Sequence, residues 1–233
     1  MINDQSMIAD ARKWGTLYRV AGISAVIILS FIPVQTIIFA LWPPTGGVAD
    51  IFAIFQKSKF VGLIDMDLLL MIDYVLTLVI YIALWAALRR ANPSLALLAL
   101  IFQIVSMAVY FSSNVAFEML NLSSQYAATN DESKQTILLA AGQAMLATWQ
   151  GSAFTFSYIM GCISLILISI VMRRSDIFSR ATSYLGLAAG ILMVVPPNAG
   201  TVGLVVSFLS IIPTIGWLVL LAFRFSNLYK AGR

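Results

Sequence analysis

The sequence predicts an all-α fold, a polytopic membrane bundle of six transmembrane helices with both termini cytoplasmic. Three observations carry that prediction. Residues of the hydrophobic set make up 61% of the chain and charged residues only 10%, against about 25% charge in soluble domains. The apolar residues fall into long runs, as a hydrocarbon core of about 30 Å requires, since a helix needs roughly 20 residues to cross it. The basic residues gather at the ends of every second run.

The chain reads as a single integral membrane domain over 1–233, with spans at about 20–41, 66–88, 94–119, 150–172, 182–195 and 201–223. A polar, mobile-looking start carries Arg12, Lys13 and Arg19 ahead of the first run. That run is too long for a signal-peptide core, and no small-x-small cleavage site follows it, so it is expected to be retained as span one. Pro33 falls inside it and is expected to kink it. The stretch 42–47, with Trp42 at headgroup depth, closes it. Next, Ile51, Phe52, Ile54 and Phe55 alternate at helical spacing with Asp50, Gln56 and Lys57. The segment is too short to span, which predicts a short amphipathic helix lying in the interface.

Span two ends at Arg89-Arg90, and Asn92-Pro93 is a helix-start signal for span three, a capping side chain followed by a first-turn proline. The polar stretch 121–133 contains Thr129-Asn130-Asp131-Glu132, a capping-box pattern that predicts a new helix running toward span four. Whether 134–172 forms one helix or two is left open. Span five is short, carries Thr182, Gly186 and Gly190 at four-residue spacing, and stops at Pro196-Pro197. That spacing allows close helix approach. Span six contains Pro213 and Trp217.

Charge sets the orientation. With the N-terminus inside, Arg12, Lys13, Arg19, Arg89, Arg90, Arg173, Arg174, Arg180, Arg224, Lys230 and Arg233 all lie inside, and only Lys57, Lys59 and Lys134 outside. This is the positive-inside rule, and it predicts a multi-pass protein of the inner (plasma) membrane. The net charge of +4 is accordingly topological, and no basic run with interleaved aromatics suggests nucleic acid.

Several chemistries are poorly supplied. There is no histidine, which removes the commonest general base and the commonest metal ligand. The one cysteine, Cys162, lies in an apolar run, so no intrachain disulfide is possible. The expectation is no metal, no cofactor and no catalytic residue. Asp65 and Asp67 are expected to sit at the outer interface, close enough to Lys57 and Lys59 to pair. Asp73 lies deeper, where an ionisable side chain costs up to about 2.5–3.5 kcal/mol and is by default a functional candidate. Asp73, Asn114, Glu118, Gln150 and Tyr158 fall in one outer layer, forming a candidate ligand-binding pocket. Thr182, Gly186 and Gly190 are read as a helix-packing ridge.

At spans four and five, the run 151–180 (GSAFTFSYIMGCISLILISIVMRRSDIFSR) followed by the Gly186/Gly190 helix resembles a family of prokaryotic multi-pass proteins, domain of unknown function 4386. Ala153-Phe154, Gly161 and the Arg173–Arg180 loop carry the likeness, with a looser match over 81–99. A histidine often seen before the Ala-Phe pair is replaced here by Trp149-Gln150. The resemblance implies the six-span plan and the membrane location and adds little on function, since the family's activity is not established. Three functions are then expected in order. The first is a non-catalytic binding or accessory subunit taking a lipid or hydrophobic small molecule, with membrane lipids and other membrane subunits as partners. The second is a proton- or cation-coupled small-solute transporter using Asp73 and Glu118. The third is an intramembrane enzyme with acid-initiated chemistry on an apolar substrate.

Overall fold

A computed structural model describes residues 4–41, 47–149 and 151–233, and their side chains except at 4–11, 39 and 40. The described residues contain ten helices and no strand. Six of them form a closed ring: α1 (Asp4–Leu41), α4 (Leu68–Leu88), α5 (Pro93–Ser113), α8 (Ser152–Arg173), α9 (Arg180–Leu192) and α10 (Gly200–Ala231). Each packs on the next, and α10 returns to α1. The other four, α2 (Val48–Lys57), α3 (Lys59–Asp65), α6 (Ala116–Ala128) and α7 (Glu132–Trp149), form a cap with its own apolar core.

Cross-helix contacts fix the directions. Trp14 meets Trp85 edge-on at 6.4 Å, so α4 ends where α1 begins. Ser106 Oγ donates to Ser157 O at 2.7 Å and Ser164 Oγ to Ala99 O at 2.6 Å, which sets α5 and α8 antiparallel. Ser183 Oγ donates to Ser169 O at 2.8 Å, and Gly190 abuts Ile166. On α10, Phe225 lies against Gly22, and Tyr229 against Gly15. The six helices therefore alternate up and down. The start of α1, the Arg89-Arg90 turn, the Arg173–Arg180 loop and the end of α10 share one end of the ring. Guanidinium groups sit over aromatic rings there: Arg89 lies 5.3 Å from Trp14 and 5.9 Å from Trp85, and Arg19 lies 5.7 Å from Tyr229. Such amphipathic pairs suit a headgroup layer.

Five stretches are long and apolar enough to cross a bilayer: Arg12–Ile38, Leu68–Leu88, Pro93–Ala128, Glu132–Arg173 and Gly200–Ala231. The expected fifth span is not among them, because α9 has 13 residues and rises only about 20 Å. Two of the five are interrupted. The expected third span, 94–119, ends early because α5 stops at Ser113 and α6 starts at Ala116. The stretch 134–172 is two helices, with Gly151 as the N-cap of α8. A Cβ at Gly151 would meet Ala147 O at 2.9 Å and Thr148 O at 3.1 Å, so the chain needs glycine there. Asn92 caps α5 as its sequence suggests, its Oδ1 accepting from Leu95 N at 3.0 Å ahead of Pro93. The expected capping box opens two residues late: Asp131 Oδ1, not Thr129, takes Ser133 N at 3.0 Å.

Two other expectations change. The polar N-terminal stretch is helical from Asp4, since Trp14, Leu17 and Tyr18 pack into the ring core. The segment expected to lie in the interface is the helix α2, and its apolar residues are covered by protein. Val48, Ile51, Phe52 and Phe55 are buried against α6 and α7, and Ser123 Oγ donates to Phe52 O at 3.0 Å. Burying a phenylalanine is worth about 1.5–3 kcal/mol, so Phe52 and Phe55 gain as much here as lipid would give them. The stretch 42–46 lies outside the described residues.

Candidate functional site

Three helix interruptions meet where the cap joins the ring. The first separates α3 from α4 at Met66-Asp67. Asp67 has φ 69° and ψ 23°, the left-handed region, which aspartate and asparagine tolerate better than other residues with a Cβ. It precedes α4 without capping it, and its Oδ2 instead accepts from the Trp149 indole Nε1 at 2.7 Å. Trp149 ends α7, so this bond ties the second interruption, α7–α8, to the first. The third is α5–α6. Asn114 Oδ1 accepts from Ala116 N at 3.1 Å, starting α6, while its Nδ2 donates to Met66 O at 3.3 Å. One amide side chain thus closes one break and reaches another.

Below this layer Tyr110 is fully buried. Its ring stacks on Tyr74 at 4.3 Å and lies 6.4 Å from Phe154. Its hydroxyl faces Asp67 and Asn114 but meets hydrogen-bond geometry with neither, so Oη is left without a partner. Asp65 is also buried, at 2% exposure, and its Oδ1 has no partner.

The sequence places Asp65 and Asp67 at the interface beside Lys57 and Lys59. That expectation fails. Both carboxylates turn inward beneath the cap, whereas the two lysines end exposed and form no ion pair with them among the described residues. Burial pushes Asp67 up to about 7, partly offset by the Trp149 bond and reinforced by the charge of Asp65. Burial alone pushes Asp65 up to about 6.

A family model covers residues 14–224, from the first tryptophan of the ring to the half-buried arginine of α10. The chain belongs to the family of domain of unknown function DUF4386. Comparison with curated proteins and with solved structures finds no match. Membership in DUF4386 agrees with the apolar helices in describing a multi-pass membrane protein of unknown activity.

The residues singled out from the sequence of this DUF4386 protein scatter. Asn114 stands at the junction. Asp73 lies on α4 next to Tyr74, half-buried, and makes no hydrogen bond or ion pair among the described residues. Tyr158 stacks on Phe154 at 6.2 Å, and its hydroxyl lies 3.4 Å from Ser207 Oγ on α10. Glu118 is exposed in the first turn of α6, because the break at Asn114 places it in the cap rather than in a span. Nothing pairs it with Asp73. Gln150 lies outside the described residues. Thr182, Gly186 and Gly190 are buried between α8 and α10, where a Cβ at Gly186 would overlap Ser169 Oγ and Trp217 Nε1. Sequence reasoning does not bring Asp65, Asp67, Tyr110 and Trp149 together as one site. Among the described residues no group of three or more His, Cys, Asp or Glu could hold a metal.

Proposed function

We propose that this DUF4386 protein is a six-pass inner-membrane protein with both termini cytoplasmic, which binds without catalysing. It holds a lipid or hydrophobic small molecule, or serves another membrane subunit, through the polar layer at the ring–cap junction. One observation carries this reading: Asp65 Oδ1 and Tyr110 Oη are buried with no partner inside a molecule whose other face is lipid. Buried polar groups are costly unless something satisfies them, and few such groups set in an apolar surround is how small-molecule sites are built. The proposed contact set is Asn114 at the junction, Asp73 next to Tyr74, and Tyr158 beside Phe154, since Tyr74 and Phe154 are the rings against Tyr110; Glu118, exposed on α6, is left out of it. The sixth pass is supported by Asn198 Nδ2, which donates to Thr155 Oγ1 at 3.0 Å. The chain from Arg180 to Asn198 therefore covers the depth that α8 covers between Arg173 and Thr155. The gathering of basic residues at one end supports a cytoplasmic placement of that end, as the positive-inside rule expects.

Native mass spectrometry of the purified protein tests the binding reading. The wild-type chain is expected to retain a discrete lipid or small-molecule adduct, reduced in a variant combining Asp73→Asn, Asn114→Ala and Tyr158→Phe. An unchanged adduct in that variant, with the fold intact, sinks the proposed contact set.

The convergence of interrupted helices with carboxylates at one depth supports a second reading, cation-coupled solute transport, since transporters place ion and substrate sites at broken helices. Reconstituted vesicles should then show solute uptake driven by a cation gradient, and absence of gradient-driven flux over a broad solute panel counts against it.

A further inference from the structure

The junction holds two buried carboxylates and few donors from the chain to satisfy them. Asp65 Oδ1 has no partner, Asp67 has one donor on Oδ2 from Trp149, and the Tyr110 hydroxyl faces Asp67 unbonded. Eleven of the fourteen basic residues (Arg12 through Arg233, without Lys57, Lys59 and Lys134) belong to the opposite end of the ring, and those three lysines are exposed. Among the described residues, no fixed cation therefore reaches the two carboxylates. Tyr74 and Asp73 on α4 supply no positive charge either.

We propose that the junction is a binding site for one small monovalent cation, sodium, held by the carboxylates of Asp65 and Asp67 and the hydroxyl oxygen of Tyr110. The interrupted backbone favours it. α3 ends at Asp65, and the Met66 carbonyl carries a single side-chain donor, Asn114 Nδ2. Freed carbonyls and helix C-termini at breaks are what coordinate small cations inside membranes. The oxygen donors are hard, which suits sodium rather than a soft metal. Calcium takes six to eight oxygens, more than these two carboxylates and one hydroxyl offer, and the cost of dehydrating an ion grows with the square of its charge, so a divalent ion is disfavoured in so apolar a surround. The neighbouring aromatic faces are occupied by one another, Tyr74 on Tyr110 and Phe154 on Tyr158. An organic ammonium thus lacks the open ring faces it would use. Sodium would satisfy the same Asp65 and Tyr110 oxygens that carry the binding reading, so this inference rests on that reading and names an occupant for it; sodium binding that persists while the adduct is lost separates the two.

Radiolabelled sodium binding to the purified full-length protein tests it, at constant ionic strength with choline replacing sodium. The expected result is one saturable sodium per chain. Asp65→Asn and Asp67→Asn should each weaken binding more than about tenfold, and Tyr110→Phe, which keeps the ring stack, by about tenfold. Asp176→Asn, an exposed acid near the basic end, should leave it unchanged. Sodium should also raise the unfolding temperature of the wild type and not that of Asp67→Asn, since a ligand bound only by the folded state stabilises it. A folded wild type that binds no sodium overturns the proposal. So does equal loss in Asp176→Asn, full binding in Tyr110→Phe, or displacement of the label by calcium or tetramethylammonium at concentrations well below those of sodium. The wild-type titration and Tyr110→Phe decide the matter even if an Asn variant fails to fold.

Discussion

Asp67→Asn should make the protein more stable, by an amount that grows as pH rises from about 4 to about 7. Asparagine is nearly isosteric, tolerates the left-handed φ of 69°, and retains a carbonyl oxygen to accept from Trp149. What it removes is the charge. In the folded chain burial raises the Asp67 carboxyl from 3.8 to about 7, while the unfolded chain holds it near the lower value. Between those limits the folded state binds more protons than the unfolded one, so the wild type loses stability as pH rises and levels off above about pH 7. A rise of roughly three pH units at about 1.4 kcal/mol each gives ~4 kcal/mol as the order of the effect. The variant carries no such contribution, so its advantage should grow from near zero around pH 4 to that order around pH 8. The assay is reversible unfolding by sodium-free denaturing detergent in mixed micelles, with choline as the only salt cation so that no sodium masks the charge. A wild type that gains stability between about pH 5 and about pH 8, or a variant that follows the wild-type profile, would refute the reasoning.

Other consequences can be checked on the same preparation. Gly186→Leu forces a side chain into Ser169 and Trp217; overpacking of this kind costs about 1–3 kcal/mol, visible as a lowered unfolding temperature, and a neutral result would contradict the close α8–α9–α10 approach. Asn114→Ala removes both the Met66 and the Ala116 bonds and should cost about 1–3 kcal/mol, with faster backbone hydrogen exchange at the start of α6. Ser106→Ala deletes the donor to Ser157 O; interhelical bonds in membranes average about 0.6 kcal/mol, so a loss above about 2 kcal/mol would mean the serine does more than join two helices.

The apolar runs make the fold class and most of the ring legible in the sequence, and Asn92-Pro93 marks the start of α5 where it lies. What the runs conceal is their interruptions. Hydropathy continues smoothly through 94–119, so Glu118 reads as the end of a span, although Ser112-Ser113-Asn114 supplies three side chains able to satisfy a broken backbone. Asn114 does so, and its Asx bond to Ala116 is the local signal that the sequence offers. Periodicity likewise tells which face of α2 is buried but not what covers it, because a lipid surface and a second helix ask for the same pattern. The candidate site is the least legible part. Asp67 adopts a left-handed backbone with no glycine to mark it, and its partner Trp149 lies 82 residues away. Proximity in sequence favours Lys57 and Lys59 instead. Asp73 draws attention by its depth, which composition shows, while Asp65 and Asp67 owe their burial to a cap that exists only in three dimensions.

The bond between Asp67 and Trp149 holds the interruptions together, and a double-mutant cycle measures it most directly. Asp67→Gly removes the carboxylate at a backbone angle glycine accepts, and Trp149→Phe removes the donor while leaving a ring. Hydrogen bonds to charged groups contribute about 1.5–3 kcal/mol, so at about pH 8 the two substitutions should be coupled by that amount. Additive effects of the two substitutions, whatever their signs, with coupling under about 0.5 kcal/mol, would contradict a junction built on this contact.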